Sequence, residues 1–212
     1  MRSKGPVSTP GARMIELNSQ LQRTQVALGE SLNEINSLEK KLARFTEFGE
    51  VSFGGVRMAQ IWADMIVWEG ILNIRKFRAI IELGTFEGGF SWWLWAQTQV
   101  RKGMNFYTYD SRVPENPPPG FEKKDVFACA DELGKIMRLN EPCVVFCDNG
   151  NKPREMEIFS KELRDVNSVL VVHDWGTEFL PEDIPDTVEM VYGDFCEEIG
   201  SVSRVFRIKE NK

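Results

Sequence analysis

The chain has 212 residues and a net charge of −6, with 42% hydrophobic and 27% charged residues, ordinary values for a soluble protein with room for one sizeable domain and an appendage. That balance argues against broad nucleic-acid binding, which needs a basic face. No apolar run approaches the ~18 residues of a membrane span, and the opening "MRSKGPVSTPGAR" lacks the apolar stretch of a secretory signal.

Residues 1–13 contain Gly, Pro and Ser and read as a disordered tail. From Met14 the pattern changes. Met14, Leu17, Leu21, Thr24, Leu28, Ser31, Ile35, Leu38, Leu42 and Phe45 follow alternating steps of three and four, the a/d seam of a heptad repeat. A helix over 14–46 would be ~48 Å long and cannot bury that stripe by itself. The seam is narrow, so it reads as an oligomerising coiled coil rather than as a helix lying on its own domain.

Residues 47–212 read as one domain. "EFGEVSFGGVR" is a glycine-rich connector, followed by a helix in "VRMAQIWADMIVWEGILNIR" whose Trp62 and Trp68 suit packing. Then come "FRAIIELG" as a strand, "SWWLWAQTQV" as a helix, "MNFYTYD" as a strand and "RVPENPPPGF" as a proline-rich loop. "DVFACADELGKIMRL" reads as a short strand end and a helix, "PCVVFCDNG" as a buried strand, and "PREMEIFSKELRDV" as a helix with Pro153 in its first turn. "SVLVVHDWG" is another buried strand, and "TVEMVYGDF" and "SVSRVFRIK" read as two terminal strands. Continuous apolar strands alternating with helices predict an α/β, Rossmann-like, open and mostly parallel sheet with helices on both faces.

Cysteines stand at 129, 143, 147 and 196 with no CxxC pair. Cys143 and Cys147, on one strand, would lie ~13 Å apart, too far for a disulfide. All four suit small buried hydrophobes in a reducing, cytoplasmic setting.

In such a sheet ligands bind beyond the carboxyl ends of the strands. Here those ends carry Glu82-Leu-Gly84-Thr85, then Asp110, the helix approach Asp125-Val126-Phe127, Asp148-Asn149, and His173-Asp174. A shared crevice would collect them. Gly84 can admit a ligand to the backbone, and Gly88 and Gly89 let a helix start close by. Asp110 ends the next strand, where a carboxylate can accept from two ribose hydroxyls. The alternative is a plain tight turn with Asp110 as a cap. The G-x-x-x-G-G spacing with Glu82 and Glu87 beside it repels phosphate and favours a cationic nucleoside such as S-adenosylmethionine.

"IIELGTFEGG" resembles motif I of class I S-adenosylmethionine-dependent methyltransferases, and "YTYD" resembles their acidic second motif. "DVF", "VVFCDNGNK" and "VLVVHDW" are similar to the cephalosporin-hydroxylase-like and macrocin-type subgroup, with Asn149 and Trp175 departing from its "CDGGNK" and "HDY" patterns. The resemblance spans roughly residues 54–178. It implies that Glu82, Gly84, Thr85 and Gly88 lie against the amino-acid part of the cofactor and that Asp110 holds the ribose. It places adenine at Asp125, Val126 and Phe127, with Asp148 nearby and Gly54 and Gly55 closing over the site. It implies magnesium on Asp148 and Asp174, and a proton taken by Lys152 or His173.

Plainer readings stay open. His173 could bond the sheet backbone, Asp174 could cap a turn, and Lys152 could be a solvated helix start. The resemblance implies O-methylation of a small-molecule or glycan acceptor, while the heptad seam, which lies outside the resemblance, predicts a homo-oligomer joined through 14–46. The alternatives are a non-catalytic nucleotide-binding or structural protein and a nicotinamide-dependent oxidoreductase.

Overall fold

The computed structural model describes residues 10–46 and 51–210; for 10–15, 17 and 39–46 the backbone alone is described. The chain divides into two compact units, one ending at Arg44 and one starting at Phe45. Among the described residues the first holds a single helix, α1 (Pro10–Thr46), whose last two residues fall past the division. It begins four residues before Met14. Pro10 is tolerated there because the first turn has no intrahelical use for its missing N–H. The remainder of the expected tail lies outside the described residues. Leu21, Leu28, Ile35 and Leu38 of the heptad seam are exposed. Val26 and Leu32, off the seam, are exposed too. No helix among the described residues is long and apolar enough to cross a membrane.

The second unit opens with a two-stranded antiparallel hairpin, β1 (Ser52–Phe53) and β2 (Val56–Arg57), where the sequence suggested only a connector. Residues 47–50 of that connector lie outside the described set. There follow α2 (Trp62–Ile74), β3 (Ala79–Leu83), α3 (Gly89–Val100), β4 (Asn105–Asp110), β5 (Phe121–Lys123), α4 (Ala130–Leu139), β6 (Cys143–Cys147) and α5 (Lys152–Phe159). Then come β7 (Val169–Val172), β8 (Val188–Val191), α6 (Gly193–Glu198) and β9 (Arg204–Ile208). The strand order is β5-β4-β3-β6-β7-β9-β8. All neighbours from β5 to β7 are parallel, and β9 runs antiparallel to both β7 and β8. The expected fold class is therefore present, with three further local differences. The strand before α4 is Phe121–Lys123, whereas the "DVF" stretch at 125–127 runs into a turn. "GDFCEE" forms helix α6 between the terminal strands, and α5 stops at Phe159 rather than continuing to Val166.

The sheet is buried on both faces, and each strand divides its side chains between them with a period of two. Ile80, Val144, Phe146, Val169 and Val171 pack with α2 and α3 through Trp68, Ile71, Phe90 and Leu94. Ile81, Leu83, Val145, Cys147, Leu170 and Val172 pack with α4 and α5 through Leu133, Met137, Met156 and Phe159. Trp68 anchors the first face, meeting Phe90 and Phe146 edge-on at 5.5 and 5.1 Å. Each such pair adds about 0.5–1.5 kcal/mol beyond area burial. Trp62, by contrast, is half-exposed. Cys143, Cys147 and Cys196 are buried free thiols and Cys129 is half-buried. Burial pushes the Cys143 thiol up to about 12, which keeps it unreactive.

The carboxyl ends of β3 and β6 come unusually close. Asp148 N donates to Leu83 O, and a Cβ on Gly84 would stand 2.3 Å from the Asp148 carbonyl oxygen. Gly84 also has φ +101°, a conformation L side chains rarely adopt. Gly84→Ala should therefore cost about 2–5 kcal/mol, combining backbone strain with overpacking. Urea denaturation checks this, and a loss under 1 kcal/mol would refute the close approach.

Candidate functional site

A cleft of about 950 Å³ opens at the carboxyl ends of β3, β4, β6 and β7. It is lined by Glu82, Gly84, Thr85, Asp110, Asp148, Asn149, Lys152, His173 and Asp174, together with Gly55 and Val56 of the hairpin. Most residues singled out from the sequence thus meet in one place.

One wall is built by Asp110. Its Oδ2 accepts from the backbone N–H groups of Thr85 and Phe86 at 3.0 and 3.1 Å, and its Oδ1 from that of Arg112 at 2.8 Å. The loop after β3 is thereby held to the end of β4, and Phe86 is kept at φ +50°. The three glycines have different jobs. Gly84 makes room for the β6 backbone. Gly88 adopts φ +92° as the N-cap of α3. Gly89 makes room for the hairpin, since a Cβ there would stand 2.2 Å from the Arg57 carbonyl oxygen. Space for a ligand is therefore not what requires them. The aromatic run after them is mainly packing: Trp93 stacks on Phe90, while Trp92 Nε1 donates to Asn116 O and pins the 111–116 loop on the cleft's rim.

Glu82 lies at the cleft floor, buried. Thr108 Oγ1 donates to it at 2.5 Å, and Thr85 Oγ1 meets Thr108 Oγ1 at 2.7 Å, so Thr85 is the donor of that pair. Burial pushes the Glu82 carboxyl up to about 8, with the Asp148 and Asp110 charges adding to the rise against the Thr108 hydrogen bond. The bare cleft thus favours a neutral Glu82.

The opposite wall is a charge cluster. Lys152 Nζ, only 3% exposed, lies 2.7 Å from Asp174, 3.3 Å from Asp148 and 2.6 Å from Glu178. It is not a solvated helix start. Burial opposes its charge, but the Asp148 and Asp174 carboxylates outweigh that and raise its pKa. His173 Nδ1 lies 3.2 Å from Asp174 Oδ1 and 3.5 Å from Asp148 Oδ1, while Nε2 lies 3.5 Å from Asp64 Oδ2. Burial works against the imidazolium, yet Asp148, Asp174 and Asp64 raise His173 well above the usual range. Burial pushes the Asp174 carboxyl upward, but His173 and Lys152 hold it well below the usual range. Asp174 sits at φ +59°, and its carbonyl accepts from the N–H groups of Thr177, Glu178 and Phe179, which folds Glu178 back toward Lys152. The turn is made by its backbone, so its side chain is left for the cluster.

The expected adenine residues are not brought to this cleft. Asp125 Oδ1 accepts from Phe127 N and Ala128 N, Val126 is buried in the α4–α5 core, and the Phe127 ring lies 4.3 Å from the Arg154 guanidinium. Gln60, Asp64 and Glu178 belong to the site and are missed by the sequence reading. Gln60 donates to Asp148 at 3.4 Å. A buried acid inside the apolar "WADMIVW" was the available signal for Asp64, because such a group requires partners.

No family model matches the chain, and no curated relative matches it. Among solved structures, the chain is similar to CmcI with SAH, at a TM-score of 0.58 and 17% identity over 77% of this chain and 84% of that one. It is also similar to the CmcI apo-structure, at a TM-score of 0.60 and 16% identity over 77% and 78% of the two chains. This likeness is one of fold: the chain is built on the same architecture as CmcI.

The Glu82 environment has a thermodynamic signature. The unfolded chain releases this proton near 4.5 and the folded chain only near 8. Its stabilisation is complete below the lower value and is lost as pH rises toward the higher one. Glu82→Gln should therefore lose less stability than the parent between about pH 5 and about pH 8, by up to ~1.4 kcal/mol per pH unit. Parallel urea-denaturation curves would refute it.

Proposed function

We propose that the chain is an S-adenosylmethionine-dependent methyltransferase acting on a hydroxyl of a small molecule or sugar. One observation carries this reading. A single cleft of about 950 Å³ joins a wall carrying the Glu82 and Asp110 carboxyl groups to the Asp148–Lys152–His173–Asp174 cluster. The volume suits a small-molecule site. The fold likeness to CmcI, which is described with SAH bound, supports the same reading.

The residues fit a cationic cofactor. Asp110 makes three backbone hydrogen bonds, and a carboxylate has about four acceptor sites, so capacity remains for a ribose hydroxyl. Glu82 gains a counter-charge when an ammonium group approaches, which favours its ionised form. When bound, S-adenosylmethionine supplies a sulfonium methyl for in-line displacement, a reaction helped mainly by positioning. Ser111, Arg112 and Val113, which line the cleft next to Asp110, are further candidates for the nucleoside's surroundings.

Asp148 and Asp174 offer hard oxygen donors that fit a divalent cation, and His173 lies between them. Such a cation would polarise the acceptor hydroxyl and lower its pKa, so that its proton can pass to solvent as the methyl is transferred. Lys152 and His173 are both protonated in the ligand-free cleft, where they hold the carboxylates in register. Lys152, enclosed by carboxylates, keeps its proton and serves as a fixed charge rather than as a base.

Calorimetry with S-adenosylmethionine, S-adenosylhomocysteine and NAD tests the assignment. The first two should bind and NAD should not. Asp110→Ala should weaken nucleoside binding by about tenfold or more, the worth of a charge-assisted hydrogen bond. Binding of NAD alone would refute the methyltransferase reading and favour the nicotinamide-dependent oxidoreductase.

The exposed seam of α1 supports assembly through residues 14–46 as a homo-oligomeric coiled coil. Replacing Leu21, Leu28 and Ile35 together with Lys should reduce the mass seen by light scattering to that of one chain. An unchanged mass would rule out this seam as the assembly surface.

A further inference from the structure

Asp148, His173 and Asp174 bring one donor atom each within 4.8 Å of one another. Two are carboxylates and the third is an imidazole nitrogen. Nδ1 of His173 faces both acids, at 3.5 and 3.2 Å. Its other nitrogen, Nε2, faces a third carboxylate, Asp64 Oδ2, at 3.5 Å.

Asp64 is itself immobilised. It lies fully buried in the first turn of α2. Its Oδ1 accepts from Ser201 Oγ at 2.6 Å and from the N–H groups of Val202 and Ser203 at 3.1 Å, and its Oδ2 accepts from Ile61 N at 3.3 Å. Two separate segments, the start of α2 and the turn before β9, therefore fix where this carboxylate stands. A carboxylate behind one imidazole nitrogen orients the ring and sets its tautomer, so that the other nitrogen can be presented to a metal. Here the other nitrogen is presented to two acids at adjacent strand ends.

We propose that His173 is a third protein ligand, with Asp148 and Asp174, of a divalent transition-metal site of the manganese(II), iron(II) or cobalt(II) class, and that Asp64 positions it. The proposal deepens the function above and rests on its reading that Asp148 and Asp174 hold a cation; it does not depend on which group is methylated. Magnesium prefers an all-oxygen environment and keeps several waters, whereas imidazole shifts preference toward the later first-row metals. The charges agree. Asp64, Asp148, Asp174 and Glu178 face Lys152 and His173, and once His173 yields a proton to ligate the metal only the Lys152 charge remains, so the cluster accommodates a dication without excess positive charge. Glu178 is more exposed than the other acids and already contacts Lys152 at 2.6 Å. It gives the ammonium a place to remain when a metal takes its position between Asp148 and Asp174.

The chain contains one histidine, which makes the test unambiguous. Metal-free full-length protein is titrated with manganese(II) and, separately, with magnesium, by calorimetry. The manganese-loaded protein, prepared with ¹⁴N- and with ¹⁵N-histidine, is then examined by pulsed electron paramagnetic resonance. One manganese should bind more tightly than magnesium and show a nitrogen coupling that changes with the isotope. Asp64→Asn should weaken manganese affinity about 10–100-fold, as loss of an orienting partner does. His173→Gln should abolish the coupling and the preference for manganese. Manganese binding without a histidine coupling would overturn the proposal while leaving a cation on Asp148 and Asp174. If neither metal binds, that underlying reading fails as well. The isotope comparison uses the unaltered protein, so it decides the matter even if a variant does not fold.

Discussion

Carboxylates converge on Lys152 at the ends of β6 and β7, and the geometry of the cleft depends on that convergence. Asp148, Asp174 and Glu178 lie between 2.6 and 3.3 Å of its ammonium. Charges of one sign brought this close are tolerable only with a counter-charge between them. Two cationic side chains provide it. Lys152 enters from the first turn of α5 and His173 from the end of β7. Breaking such a buried arrangement by removing one partner typically costs about 3–5 kcal/mol. The cluster is thus a structural element as much as a chemical one.

The fold was legible because the strands are apolar on both faces. Runs such as "VVF" and "VLVV" have no polar side to confuse their reading, and helices fill the intervals. The ends of β3, β4, β6 and β7 could be located to within a residue or two, and acids at those ends pointed to one crevice. Asp125–Phe127 follow β5, which lies at the sheet's edge with β4 between it and β3, and they are not among the residues that line the cleft. Adjacency in a motif string does not carry sheet order with it.

Asp64 was illegible for the opposite reason. Its apolar surroundings in sequence signal only that it needs partners; which partners is hidden, because apart from Ile61 they are Ser201, Val202, Ser203 and His173, more than a hundred residues away. The glycines occupy a middle position. Their number signalled an unusual turn, but the reason for each lies in a distant backbone: Asp148 for Gly84, Arg57 for Gly89. Glycine reports that something comes close and leaves open what it is. Helix α6 went unread because six residues between two strands carry too little periodicity to be distinguished from a turn.

Glu82 changes how recognition at the cleft floor should be understood. Its carboxyl is buried, receives a hydrogen bond from Thr108, and holds its proton up to about pH 8 when nothing is bound. A cation arriving beside it meets an acid and not a ready-made anion. Capture at this wall is then an exchange, in which the acid yields a proton as the guest's charge takes over. The heat released on binding would carry a contribution from whichever buffer receives that proton, and this wall would discriminate by charge while Glu82 itself stays neutral at rest.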